Sequence, residues 1–311
     1  MPLLSDDPLT AAPVEPANPE SPGSRKALRF CVLGSGSGGN SSVIALGDQA
    51  ILVDAGFGPR TIGRRLEQAG LHLRQVRALC LTHLDQDHFR PHWVRTLVEQ
   101  GIGLYVHRWH LPDLHRVPLI DALYDAGLVK IFEGGAFLPL GGAADLEARP
   151  VRLPHDRKGT VGFRFESGAG RIGYATDLGR VPRELIDVLS DEGGVDLLAI
   201  ESNYDPPMQE GSHRPAFLKR RIMGGHGHLS NQEAFEAVQT IAQRCAPGCP
   251  SRIVLLHRSD QCNCPTIVQR VFDQNPHLSQ RVMLAQQRRR SPWIEVRPLA
   301  AAGRKQLTLG F

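Results

Sequence analysis

The sequence predicts an α/β fold in which two β-sheets are sandwiched between layers of helices. Two observations carry this. Strand-like segments come first and then alternate with helical ones, and this order occurs twice along the chain. Polar residues able to hold metal follow directly on the C-terminal ends of apolar strands, where an open α/β sheet collects its ligands.

Residues 1–26 are rich in Pro, Ser, Ala and Glu without an apolar period, and read as a disordered tail. Order begins with the apolar strand Ala27–Leu33, followed by the glycine/serine loop Gly34–Ser41 and two short strands, Ser42–Leu46 and Ala50–Asp54. Pro59–Ala69 reads as a helix through Ile62 and Leu66, with basic residues between them. The strand Ala78–Thr82 runs straight into a polar cluster at His83; the helix Trp93–Gln100 and the strand Leu104–His107 follow. In the second half, Val151–Leu153 reads as a strand, and Val161–Glu166 and Arg171–Ala175 flank Ser167-Gly168-Ala169-Gly170, a hairpin signature. Helices Arg183–Leu189 and Asn231–Gln243 then alternate with strands Leu197–Ile200 and Ile253–Leu256.

At 311 residues the chain can form one large domain or two small ones. No apolar run is long enough to cross a bilayer, and the N-terminus lacks the basic start and apolar core of a secretory signal. The expectation is a cytoplasmic protein with no membrane partner. Six cysteines do not make a disulfide scaffold at this length. Cys245 and Cys249 are separated from Cys262 and Cys264 by a strand of roughly 20 Å, which argues against a four-cysteine zinc site. A net charge of +4 permits a polyanionic substrate without demonstrating one.

The strongest local signal is His83-Leu84-Asp85-Gln86-Asp87-His88. On an extended segment, residues two apart point the same way, so His83 and Asp85 can share one metal ion. Asp87 and His88 begin a turn and can face a second. Imidazole and carboxylate ligands suit Zn²⁺, and a carboxylate-rich set also suits Mn²⁺. The bland alternative is a solvated polar loop, against which stands the apolar strand leading straight into the cluster. His155, Asp177 and His257 each lie just past a predicted strand and can supply the missing ligands for two ions. Asp54, also at a strand end, can orient a ligand from behind, or simply form a turn with Gly56.

Asp54, the 83–88 cluster, His155, Asp177 and His257 resemble, in order, the five motifs of the metallo-β-lactamase superfamily over roughly residues 27–297. Further segments resemble its WalJ/YycJ-like subfamily: Gly34–Ser41, Leu153-Pro154-His155-Asp156, Val161–Arg164, Glu201–Asp205, Leu218–Ile222 and Gly227-His228-Leu229-Ser230-Asn231. The resemblance implies an αββα four-layer sandwich and a two-metal phosphodiesterase, a DNA exonuclease of 5′→3′ polarity acting in repair or replication. It implies one ion on His83, Asp85, His155 and Asp177, and a second on Asp87, His88, Asp177 and His257. Asp87 and His228 would be catalytic. Ser37, Asn40, Asn203, Asn231, Lys219 and Arg221 would meet substrate. Two departures stand out. Asp85 occupies a position where the family usually has His, which adds negative charge and favours Mn²⁺ over Zn²⁺. Cys262-Asn263-Cys264-Pro265 stands where the family has Asn-Asn-x-Pro, so one amide is lost.

Two metal ions promote in-line displacement at phosphorus without a Ser or Cys nucleophile. His228 can donate to a phosphate or to the leaving group, although Ser230 after it also reads as a plain N-cap. The basic runs Lys219-Arg220-Arg221 and Arg288-Arg289-Arg290 suit a DNA backbone, or merely a solvated face. The last six residues, Gln306-Leu307-Thr308-Leu309-Gly310-Phe311, resemble the bacterial sliding-clamp-binding hexapeptide, in which Gln306, Leu307, Leu309 and Phe311 would make the contacts. Residues 298–311 are expected to form a flexible tail carrying it. The alternatives are a hydrolase of the same fold acting on RNA or a small phosphodiester, and a non-catalytic DNA- or clamp-associated binding protein.

Overall fold

The computed structural model describes residues 27–142 and 145–298. The N-terminal tail and the terminal hexapeptide, with Gln306, Leu307, Leu309 and Phe311, lie outside the described residues.

The first half supplies strands β1 (Leu28–Gly34), β2 (Ser41–Leu46), β3 (Gln49–Val53), β4 (Val76–Cys80), β5 (Gly103–His107) and β6 (Val129–Phe132). The second half supplies β7 (Glu147–Leu153), β8 (Thr160–Ser167), β9 (Gly170–Ala175), β10 (Leu197–Glu201), β11 (Arg252–Leu256), β12 (Val282–Leu284) and β13 (Ile294–Val296). They form a seven-stranded sheet ordered β13-β1-β2-β3-β4-β5-β6 and a six-stranded sheet ordered β12-β11-β10-β9-β8-β7.

Strict alternation in the strands explains the layering. In β1 and β2, Phe30, Val32 and Ile44 face the opposing sheet, where they join Phe163, Phe165, Tyr174 and Val254 in one core. The intervening Cys31, Leu33, Val43 and Ala45 face outward and are covered by helices α1 (Pro59–Glu67) and α2 (Trp93–Gln100). The short helices α3 (Leu111–Leu114) and α4 (Asp121–Asp125) complete that layer. The outer face of the second sheet is covered by α5 (Arg183–Ser190), α8 (Asn231–Arg244) and α9 (Pro265–Phe272). Between α5 and α8 come α6 (Pro206–Gly211) and α7 (Ala216–Met223), and α10 (Pro276–Ser279) follows α9. The result is the expected αββα sandwich.

The expected hairpin forms, with Ser167 opposite Gly170 across Gly168-Ala169. Three expectations shift. The helix from Pro59 stops at Glu67, because Gly70 at φ +75 turns the chain. The strand expected at Ala78–Thr82 lies two residues earlier: the Thr82 amide leaves the ladder and donates to Asp54 Oδ1 at 2.8 Å. The strand at Val151 begins four residues sooner, at Glu147. Pro150 sits within it, as an edge position tolerates. The expectation did not include β6, β12, β13, α3, α4, α6, α7, α9 or α10. Most are short or edge elements; α7 and α9, each as long as α2, were simply missed.

β3 and β4 run parallel, as do β9, β10 and β11. β7 and β9 are each antiparallel to β8 and so share that direction. Asp54, His83, His155, Asp177 and His257 therefore leave strand ends at matching edges of their two sheets.

Candidate metal centre and active site

Three of the residues that follow strands have left-handed backbones: Asp54 at φ 61, Asp177 at φ 54 and His257 at φ 50. Non-glycine residues adopt this conformation at a cost of about 1 kcal/mol or more, and it persists where the surroundings enforce it. Each side chain is thereby turned off its strand and into the space between the sheets' ends.

The ligating atoms gather in overlapping triads. His83, Asp85 and His155 form one, Asp87, His88 and His257 another, and His83, His88 and Asp177 a third. Within each, the donor atoms lie within 4.8 Å of one another. Asp177 stands in the middle: Oδ2 is 2.9 Å from His88 Nε2, and Oδ1 is 3.0 Å from His257 Nδ1. Asp87 Oδ2 lies 3.6 Å from both His88 Nε2 and His257 Nε2. Asp85 is the most exposed member, its Oδ2 3.8 Å from His83 Nε2.

The residues around the triads fix the imidazoles. His88 Nδ1 lies 2.8 Å from Asp54 Oδ2, His155 Nδ1 lies 2.8 Å from the Gly227 carbonyl, and His83 Nδ1 lies 3.0 Å from Thr82 Oγ1. With Nδ1 engaged, Nε2 is the atom each ring can offer an ion, the usual arrangement of metal-binding histidines; that of His88 rests meanwhile against Asp177 Oδ2 and Asn40 Nδ2. Asp54, fully buried, thus holds His88 rather than forming a mere turn. His257 is held by its backbone instead: Ser35 Oγ accepts from its amide at 2.8 Å, and Asn203 Nδ2 donates to its carbonyl at 2.7 Å.

The electrostatics of this cluster call for a cation. Burial alone would lift the pKa of Asp177, but the charges on His257 and His88 outweigh it and hold the carboxyl well below the usual range. Burial opposes a proton on His88 and on His257. Asp177 overrides it in both, raising His88 well above its ordinary value and His257 to about 10. Even so, the buried His257 Nδ1 has no hydrogen-bond partner of acceptable geometry. Four imidazoles and three carboxylates, converging at ligand spacing around an orphaned ring nitrogen, fit divalent metal.

Glu201, at the end of β10, was not among the expected site residues. It is fully buried, with Oε1 2.7 Å from His228 Nδ1 and Oε2 accepting from the Leu178 amide at 2.9 Å. The His228 ring stands between those of His155 and His257, 5.1 Å from each by centroid. The sequence signal for Glu201 was the one used for Asp177, an acid ending an apolar strand.

Other expected substrate contacts turn inward. Asn40 Oδ1 accepts from Ser35 Oγ and the Gly36 amide, each at 2.9 Å, and its Nδ2 lies 3.3 Å from Asp87 Oδ2. Asn231 is buried in a network with Ser202 and Asn263, so the amide retained at Asn263 ties the end of β10 to the start of α8. Asn40 and Asn203 thus bear on Asp87 and His257 from within, and Asn231 is taken up by its network with Ser202 and Asn263. Ser37 is exposed at the tip of its loop. Lys219 Nζ donates to the Glu210 carbonyl, and Arg221 pairs with Asp156. Arg221 also lines a cavity of about 640 Å³ with His83, Asp85, His110, His155 and Lys158.

This fold and site define a metal-dependent hydrolase, and the chain belongs to the β-lactamase superfamily: the family's domain model matches residues 49–257. Within it the chain is WalJ/YycJ-like. It is 26% identical to exodeoxyribonuclease YycJ of Bacillus anthracis over 220 residues, covering 69% of this chain and 77% of that protein. It is also 26% identical to exodeoxyribonuclease WalJ of Streptococcus pneumoniae, covering 76% of this chain and 83% of that one. Among solved structures it resembles Zn²⁺-bound PqqB from Methylobacterium extorquens, with a TM-score of 0.61 at 17% identity over 85% of this chain and 99% of that one. That likeness shows the fold. No helix among the described residues is long and apolar enough to cross a membrane.

Proposed function

We propose that this protein is a two-metal phosphodiesterase that degrades DNA as a 5′→3′ exonuclease in repair or replication, and that it works in the cytoplasm. The observation that carries the chemistry is the pair of ligand triads linked by a third, His83, His88 and Asp177, beside the Glu201–His228 pair. The choice of DNA is supported by the two relatives named as exodeoxyribonucleases.

His83, Asp85, His155 and Asp177 would hold one ion, and Asp87, His88, Asp177 and His257 the other, as Zn²⁺ or Mn²⁺. Two such ions, when bound, lower the pKa of water and stabilise charge on the leaving oxygen. The chain's own residues do the rest. Asp54, Thr82 and Asn40 keep the ligands aimed. Glu201 holds Nδ1 of His228, leaving the ring's other nitrogen to deliver a proton to the departing oxygen. Lys158 and Arg221 line the adjoining cavity, each paired with an acid of its wall, Asp113 and Asp156, with which a nucleotide phosphate would compete. The terminal hexapeptide would recruit the enzyme to the sliding clamp through Gln306, Leu307, Leu309 and Phe311.

Duplexes labelled at either end, incubated with Mn²⁺, Zn²⁺ or Mg²⁺, test the reading. Release of mononucleotides from the 5′ label first, and none by Asp87→Ala, is expected. Activity confined to RNA or to small esters would overturn it. A clamp pull-down unaffected by deleting residues 306–311 would remove the recruitment step alone.

A further inference from the structure

A second concave surface is built almost wholly from arginine. Arg64 and Arg65 of α1 meet Arg288, Arg289 and Arg290 from the segment between β12 and β13 around a cavity of about 540 Å³; Gln68 and Pro292 complete its lining. Among the described residues none of the five forms an ion pair with a carboxylate. A cavity of comparable size elsewhere shows the ordinary alternative. There, Arg149 and Arg244 are paired with Asp191 and Asp187.

The inner arginines are held without being neutralised. Arg65 donates to the Leu33 carbonyl at 2.7 Å and stacks on Phe57, its guanidinium 4.3 Å from the ring centre. Arg290 donates to the carbonyls of Ser291 and Gln68. Carbonyl partners order a guanidinium but leave its full charge. Arg64, Arg288 and Arg289 are exposed and make no side-chain contact of this kind. Clustered like charges with no internal acid are stabilised by an anion from outside.

The surface adjoins the metal centre through a single loop. On one side of the loop, Ser35 and Asn40 hold His257 and Asp87. On the other side, the Gly38 amide donates to Gln287 Oε1 at 2.8 Å, and the Gln287 carbonyl accepts from Arg65. The loop is pressed close: a Cβ at Gly38 would come within 2.6 Å of Gln287 Nε2. The metal centre and the arginine cavity thus share this loop.

We propose that the five-arginine cavity is an exosite for the phosphodiester backbone of the substrate DNA, gripping the uncut body of the strand while its end is processed. This rests on the nuclease reading above. Guanidinium–phosphate contacts carry no base information, so the grip is independent of sequence.

The test uses the full chain with Arg288→Ala and Arg289→Ala combined, both at exposed positions. Binding of a short phosphorothioate oligonucleotide is measured across a salt series. Hydrolysis of bis(p-nitrophenyl) phosphate is measured beside it as a report on folding and metal loading. The expected result is about tenfold weaker binding and a log–log salt slope shallower by about 1.5, the share of two phosphate contacts, with the small ester cut as before. An unchanged slope and affinity, in a protein whose wild type degrades DNA, overturns the exosite. A wild type that cuts the small ester but neither binds nor degrades DNA overturns the nuclease reading instead. Loss of binding to vesicles containing phosphatidylglycerol, with DNA binding intact, assigns the arginines to a membrane surface and also overturns the proposal.

Discussion

Glu201 Oε1 lies 2.7 Å from His228 Nδ1, and the same carboxylate accepts the amide of Leu178, the residue after Asp177. One buried acid thus couples the loop bearing the central ligand to the ring proposed as proton donor. Replacing it with Gln keeps the volume and the acceptor for Leu178. It also presents an amide N–H to His228 Nδ1, which must then accept: the ring is held neutral with its one proton on Nε2, and the imidazolium that can give a proton away loses the carboxylate that supports it. The expected outcome for Glu201→Gln is a kcat lowered by about 100-fold or more with KM little changed, and two equivalents of metal retained. Equal losses in metal content and kcat would make Glu201 a ligand support instead.

Asp54 is fully buried and serves three donors at once: the Thr82 amide, the Thr82 hydroxyl and His88 Nδ1. Asp54→Ala frees the His88 ring to rotate. Metal affinity should fall by about 10- to 100-fold, the usual effect of removing a partner that orients a ligand. The stranded Thr82 amide should cost about 1–3 kcal/mol of stability. Chelator competition followed by metal analysis measures the first effect, and denaturant melting of the metal-free protein measures the second.

These two acids also mark what the sequence could and could not convey. Asp54, His83, His155, Asp177 and His257 were legible because each follows an apolar strand, and strand direction alone gathers them at matching edges. Glu201 obeys the same rule but was hidden by placing the strand's end one residue early. Asn40, Asn203 and Asn231 were assigned to substrate on the resemblance alone, since local sequence says nothing of which way an amide turns. Their direction is set by partners far along the chain, such as Asp87 and Asn263. Nor does sequence foretell the left-handed backbones at Asp54, Asp177 and His257. The layers were readable from the order of strand and helix segments, whereas the short, half-exposed edge strand β6 gave no apolar run to place.

Without metal, His257 keeps its proton up to a pKa of about 10, and His88 is raised well above its ordinary value. Ligation requires both rings to lose it, so loading at neutral pH should release protons and tighten as pH rises. Calorimetry of Mn²⁺ or Zn²⁺ binding in buffers of different ionisation heat should give at least one proton released per protein at pH 7. A slope of zero would mean the rings are already neutral. The same shift predicts the pH dependence of the metal-free fold. The unfolded imidazole titrates near 6.5 and the folded His257 near 10. The stability this proton contributes is complete below about pH 6.5 and is lost as pH rises through about 10.

Asp85, proposed as a ligand where the resemblance leads one to expect histidine, is the most exposed of the triad residues, with 59% of its side chain accessible. Burial lifts its pKa, His88 opposes that lift, and the neighbouring charge of Asp87 adds to it. The carboxylate therefore sits in a crowd of acids that a hard divalent ion relieves. Replacing it with imidazole removes one negative charge and supplies a ligand suited to Zn²⁺. Asp85→His should retain both ions, strengthen Zn²⁺ retention against a chelator by about tenfold, and lower the ratio of Mn²⁺- to Zn²⁺-supported activity. Equal activation by the two metals before and after the change would show that the preference is set elsewhere, with Asp87 and Asp177 as the next carboxylates to vary.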